Sequence, residues 1–182
     1  MTGEPEGHRR MWQVLPTGLK PLPTGAAVAP TGRRRGAGGI LRLWRIRSVE
    51  DLRRIRAWIR RRCAMTGCSP QLAWRIQVSV NEVATNALVH GGGGTCRVGW
   101  DEEGVRVRVA SRLGVADVGH IDGLLQGLRR QGAWKGNGLR IAASYADSVV
   151  ISAGEEGLQV WLDFRADGRE GRGDGDRRTT GG

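Results

Sequence analysis

Phenylalanine and tyrosine are nearly missing from this 182-residue chain, with one of each, and its only lysines are Lys20 and Lys135. A base-stacking surface for single-stranded nucleic acid would have to come from the seven tryptophans, and these are dispersed along the chain. Cysteine is scarce too. Cys63, Cys68 and Cys96 are odd in number and lack the paired C-x-x-C spacing of zinc sites, so buried free thiols in a reducing cytoplasm are expected. No apolar run approaches the roughly 18 residues that read as a membrane helix, and no basic segment followed by an apolar one opens the chain. Neither membrane insertion nor secretion is expected, and a cytoplasmic location is. There is no internal repeat.

What is abundant is arginine. The formal charge is +11 and the sequence pI is about 11.3, values that suit a nucleic-acid binder. The arginines, however, are scattered through tails, helices and strands. Together with many glycines and alanines they read as coding bias rather than as a binding groove, so nucleic acid is not the expected partner. The length allows one domain of about 100–150 residues plus tails. Residues 1–38 hold most of the prolines and the run Arg33-Arg34-Arg35 without sustained periodicity, and 167–182 are polar and glycine-rich. Both are expected to be disordered tails around a domain at 39–166.

Within that domain the punctuation is clear. Ile40 to Arg47 reads as a strand, with either Leu41 and Leu43 or Trp44 and Ile46 facing inward. Ser48 caps a helix whose first turn is acidic, as the helix dipole prefers, and whose stripe is Val49, Leu52, Ile55, Trp58, Ile59 and Cys63. Gly67 closes it. Cys96, Val98 and Trp100, then Val105, Val107 and Val109, alternate with polar residues around a D-E-E-G turn, which predicts an antiparallel hairpin with one buried and one arginine-bearing face. Residues 110–138 are irregular, with a short helix around 122–130. A closing hairpin follows, Val149 to Ser152 and Leu158 to Phe164.

The stretch that organises the rest is S-P-Q-L-A-W-R-I-Q-V-S-V-N-E-V-A-T-N-A-L-V-H-G-G-G-G, Ser69 to Gly94. Ser69 is a suitable N-cap, Pro70 suits the first helical position, and four glycines stop the helix. Leu72, Ile76, Val80, Val83, Ala84, Ala87 and Leu88 form its buried stripe. At about 100° per residue, Ser79, Glu82, Asn86 and His90 fall within an arc of roughly 80° away from the middle of that stripe. A carboxylate and an amide one turn apart can hold a hydroxyl and one oxygen ligand of a hard cation such as magnesium. The same spacing also describes an ordinary solvated face, since polar pairs at i,i+4 are common on helices.

Asn81-Glu82-Val-Ala-Thr-Asn86-Ala-Leu-Val-His90-Gly91 resembles the N box of the histidine-kinase-like (GHKL) ATP-binding superfamily, and within it the bacterial anti-sigma-factor serine/threonine kinase branch. A second motif agrees. Lys135-Gly136-Asn137-Gly138-Leu139 opens a helix through Tyr145, and such glycines let backbone N–H groups approach a phosphate at a helix N-terminus. The stretch is similar to the second glycine box of that branch. The resemblance, over roughly 40–165, implies an α+β fold, the Bergerat α/β sandwich, with a mixed, antiparallel-rich sheet covered on one face by helices. It implies ATP and magnesium as cofactors, Glu82 as general base, and Asn86 as magnesium ligand. It also implies a phosphate cradle of Lys135, Gly136, Asn137, Gly138 and Leu139.

One family feature is missing. The first glycine box of the family carries an Asp that hydrogen-bonds the adenine amino group. Here the strand runs out as Val109-Ala110-Ser111-Arg112-Leu113-Gly114, with Ser111 or Arg112 in its place and Asp117 arriving late. A serine hydroxyl can accept a hydrogen bond; an arginine cannot. Two functions follow from the resemblance. One is an ATP-dependent kinase that binds a sigma factor and phosphorylates an anti-anti-sigma protein, with a homodimer among its expected assemblies. The other is a non-catalytic member of the fold that binds partners.

Overall fold

Alternating valines do what period two requires: every second side chain of two neighbouring strands enters one core. In the computed structural model, which describes residues 10–15, 18–21, 39–112, 137–154 and 157–166, β4 (Gly94–Asp101) and β5 (Gly104–Ser111) form the expected hairpin. Its register sets Val98 opposite Val107, and Asp101 caps the turn by accepting from the N–H groups of Glu103 and Gly104. The second hairpin, β6 (Ser148–Gly154) and β7 (Gly157–Arg165), continues the row, with Val107 opposite Leu162 and Leu162 opposite Val149. All four of these side chains are buried.

β3 (Ile40–Ile46) lies at the other side of β4 and forms one edge of the sheet. Of its two candidate faces the structure selects Trp44 and Ile46, leaving Leu41 and Leu43 exposed on the opposite side. Two more strands, β1 (Arg10–Leu15) and β2 (Gly18–Pro21), lie inside residues 1–38, where no regular structure is expected from the sequence. β1 owes its place to backbone pairing with β6, from Arg10 opposite Ala153 to Val14 opposite Val149, so its strand character comes from a distant edge and not from its own periodicity. The sheet order is β2-β1-β6-β7-β5-β4-β3, and every pairing among the described strands is antiparallel. The parallel component of a mixed sheet is therefore not used there.

Among the described residues three helices cover one face. α1 (Val49–Thr66) is capped by Ser48, whose hydroxyl accepts from Asp51 N–H, and ends on Gly67 in the left-handed region. The Asp51 carboxylate accepts from Arg47 N–H at 3.0 Å and from the Ser48 hydroxyl at 3.1 Å, and these bonds hold its pKa below the ordinary value of 3.8, the Arg47 bond first. Leu52, Ile55, Ile59 and Cys63 are buried as the stripe predicts, but Val49, at the first helical position, stays exposed. Burial pushes the Cys63 thiol up to about 12, helped by neighbouring Cys68, and burial alone does the same for Cys96. Trp44, Trp58 and Trp100 stack edge to face, at 5.0 and 6.3 Å between centroids, and join β3, α1 and β4. α2 (Pro70–Val89) and α3 (Asn137–Tyr145) complete the layer. Among the described residues no helix is long and apolar enough to cross a membrane.

The opposite face of the sheet carries the arginines. Arg106 pairs with Asp163 at 2.7 Å, and Arg108 donates to Gln159 at 2.7 Å while lying over the Trp161 ring. Lys135, Gly136, Asp117 and the short helix expected around 122–130 lie outside the described residues, as does the stretch 167–182.

Candidate functional site

α2 begins where Ser69 and Pro70 predict. The Ser69 hydroxyl accepts from Leu72 N–H at 3.0 Å, and the helix runs to Val89 with His90 as its C-cap. Leu72, Ile76, Val80, Val83, Ala84 and Ala87 are buried, and Leu88 packs half-buried against the core. The polar arc of this helix is not an open solvated face. Ser79 is fully buried and its hydroxyl donates to the Ala142 carbonyl of α3 at 3.2 Å. One and two turns further on, Glu82 and Asn86 are partly buried and converge on the start of α3.

The meeting point is Gly138. A Cβ placed on it would lie 2.8 Å from Glu82 Oε2, 2.8 Å from Asn86 Nδ2 and 3.4 Å from Asn86 Oδ1. Real side chains do not approach so closely, so glycine is what lets the backbone of the α3 N-terminus reach both polar groups. The two sequence motifs thus form one site, with a carboxylate and an amide facing a helix start whose dipole favours negative charge.

Arg75, one turn before Ser79, extends the arc in the other direction. Its Nε donates to the Tyr145 carbonyl at 2.8 Å and its terminal nitrogen pairs with Asp147 at 2.6 Å. Asp147 in turn accepts from Arg165 N–H at 2.7 Å. So α2 places an acid at the N-terminus of α3 and a cation at its C-terminus, each matching the local end of the helix dipole. Sequence reasoning missed Arg75; Asp147, the Asp that closes the stretch similar to the second glycine box, proves to be its partner. The available signal was the spacing 75, 79, 82, 86, which is one continuous helix face. His90, expected on that face, is exposed at the helix end.

The remaining expected residues divide. Leu139 is half-buried and packs on the core, where it anchors α3. Asn137 is the first residue of α3. Ser111 is buried and packed against the glycine loop: a Cβ on Gly91 would lie 2.5 Å from Ser111 Cβ, so no larger residue than glycine fits there. Arg112 is exposed. Of the two positions that could stand in for the absent adenine-binding carboxylate, only Ser111 therefore points to the helix side of the sheet.

The donor set fits a magnesium nucleotide. Asn86 and Glu82 supply hard oxygens, Gly138 lets both lie close against a helix N-terminus, and magnesium needs only one or two protein ligands alongside phosphate oxygens. Among the described residues there is no group of three or more His, Cys, Asp or Glu that could hold a metal by itself. The family model described as "Histidine kinase-like ATPase domain" matches residues 47–164, from just before α1 to the end of β7. A search of curated proteins finds no match.

Proposed function

The chain belongs to the histidine kinase-like ATPase domain family, and from that premise we propose that it binds ATP with magnesium and acts as a protein serine/threonine kinase of the anti-sigma-factor type. Its fold and family are those of an ATP-binding domain. The finer reading, that it binds a sigma factor and phosphorylates an anti-anti-sigma protein in the cytoplasm, rests on the branch-like form of its two motifs. The observation that carries it is the convergence of Glu82 and Asn86 on Gly138.

Bound magnesium ATP supplies the transferable phosphoryl group and much of the charge compensation, since phosphoryl transfer is mainly positioning and electrostatics. The chain's own residues do the rest. Glu82 orients the substrate serine and takes the proton of its hydroxyl. Asn86 would hold the metal through its carbonyl oxygen. The N–H groups at the start of α3 would receive the phosphates, and the Ser79 and Arg75 bonds fix that helix in place.

The test is titration of the purified chain with ATP, ADP and GTP, with and without magnesium, followed by transfer to an anti-anti-sigma protein. Glu82→Gln should abolish transfer and leave nucleotide affinity nearly unchanged, because the amide keeps the shape but cannot take the proton. Equal transfer rates would remove Glu82 from the mechanism. One observation favours a second reading: Ser111, not a carboxylate, stands at the end of β5. Absence of ATP binding at millimolar concentration would favour a non-catalytic, partner-binding member of the family.

A further inference from the structure

The turn between α1 and α2 brings two of the three free cysteines together. Gly67, in the left-handed region at φ 67°, reverses the chain after Thr66, and the N–H groups of Gly67 and Cys68 both donate to the Cys63 carbonyl, the latter at 3.1 Å. In a helix end of this kind the residue after the glycine packs its side chain back on the last turn. Here both of the side chains that meet are thiols, and that of Cys68 is hydrogen-bonded to that of Cys63. The Thr66 hydroxyl lies 3.5 Å from Cys68 Sγ and donates to the Arg62 carbonyl at 2.9 Å, which keeps the second sulfur beside the helix end.

The two thiols differ in access. Cys63 is buried, whereas Cys68 is half-buried in a turn whose Met65, Thr66, Gly67 and Pro70 are exposed. Cys96 on β4 is closed off from solvent altogether. Burial, and then Cys68 beside it, pushes the Cys63 thiol up to about 12, so Cys63 stays protonated until a reactive partner is presented to it.

We propose that Cys63 and Cys68 form a redox site, which hydrogen peroxide closes reversibly into an intramolecular disulfide at the α1–α2 turn. Cys68 reacts first: its sulfur takes one oxygen from the peroxide, giving a sulfenic acid and releasing water. The Cys63 sulfur then attacks the Cys68 sulfur. The S–S bond forms, and the displaced hydroxide leaves with the Cys63 proton as a second water. Two electrons pass from the thiols to the peroxide, and a dithiol reductant returns them by exchange. Little backbone movement is needed, because the bond from Cys68 N–H to the Cys63 carbonyl already holds the two residues together. The disulfide ties the last turn of α1 to the residue before Ser69, the cap of α2. It lies roughly 20 Å along α2 from Glu82, so the proposal stands apart from nucleotide binding.

The test reads thiols, not activity. The folded full chain is treated with hydrogen peroxide, denatured, alkylated and digested with trypsin. Cleavage after Arg62 and Arg75 places both cysteines in the peptide 63–75. Alkylatable thiols should fall from three to one, with Cys96 the survivor and 63–75 unalkylated, a count that oxidation of Met65 does not alter. Dithiothreitol before alkylation should restore all three. Cys63→Ala should leave Cys68 as a sulfenic acid that a dimedone probe captures, and Cys68→Ser should leave Cys63 alkylatable. Should either variant fail to fold, the wild-type peptide decides alone. Three alkylatable thiols after peroxide would overturn the proposal. So would Cys68 joined to Cys96 or to a second chain, or Cys68 oxidised beyond the sulfenic acid while Cys63 remains a thiol.

Discussion

Replacing Gly138 with alanine separates stability from function more sharply than any other single change here. The new methyl group would sit 2.8 Å from both Glu82 Oε2 and Asn86 Nδ2, and each must retreat by about 0.6 Å to restore an ordinary contact near 3.4 Å. Both neighbours are the ends of flexible side chains, so the fold can absorb the shift. Gly138 also lies in the first turn of α3, and alanine there recovers about 0.5–1 kcal/mol of helix propensity. The melting temperature should therefore stay level or rise. The site should not survive, because the methyl group pushes both groups away from the α3 backbone. Misplacement of about 1 Å at a reacting centre can cost about a hundredfold. Phosphoryl transfer should slow by about that factor, and magnesium-dependent ATP affinity, read by calorimetry beside a thermal melt, should fall with it in a protein that melts normally. A folded Gly138→Ala protein with wild-type affinity would refute the claim that Glu82, Asn86 and the α3 N-terminus form one nucleotide site.

Other outcomes follow from the same arrangement. Arg75→Met should cost about 1.5–3 kcal/mol in denaturant unfolding, the usual range for hydrogen bonds to charged groups, and should loosen the seam between α2 and α3. An unchanged unfolding midpoint would show that Arg75 does not hold α3. With Ser111 in place of an ionised acceptor, ATP should bind roughly 10- to 100-fold more weakly than in family members that keep the Asp, and should be poorly distinguished from GTP. Tight, adenine-specific binding in competition titrations would instead point to an acceptor outside the described residues, with Asp117 the first to mutate. Because the folded Asp51 pKa lies below its ordinary 3.8, its contribution is present above that value and is lost as pH falls through the folded pKa. Asp51→Asn should accordingly flatten the acid limb of an unfolding-versus-pH curve below about pH 4 without changing its neutral limb in slope, and an identical acid limb would remove Asp51 from the account.

Local physics was legible in the chain alone. Ser69 and Pro70 announce the start of α2, the glycine run announces its end, and the alternating valines announce the β4–β5 hairpin, because caps, stops and period two depend only on neighbours a few residues away. The motif residues Glu82, Asn86 and Gly138 could be named for the same reason. Their distance from one another could not. That Gly138 meets both side chains is a consequence of α3 docking along the Arg75–Ser79–Glu82–Asn86 face, and docking is decided by which surfaces the whole sheet brings together. Trp44 and not Leu43 turns inward because α1 supplies Trp58 to receive it, itself packed on Trp100 of β4. Ser111 and not Arg112 turns toward the helices because β5 keeps its alternation to its last residue, with Gly91 leaving room. β1 has little periodicity of its own and becomes a strand through the backbone edge that β6 offers it. Side-chain pattern writes the elements into the sequence, whereas pairing partners and facing choices belong to energies shared between residues far apart in the chain, and only the assembled fold contains them.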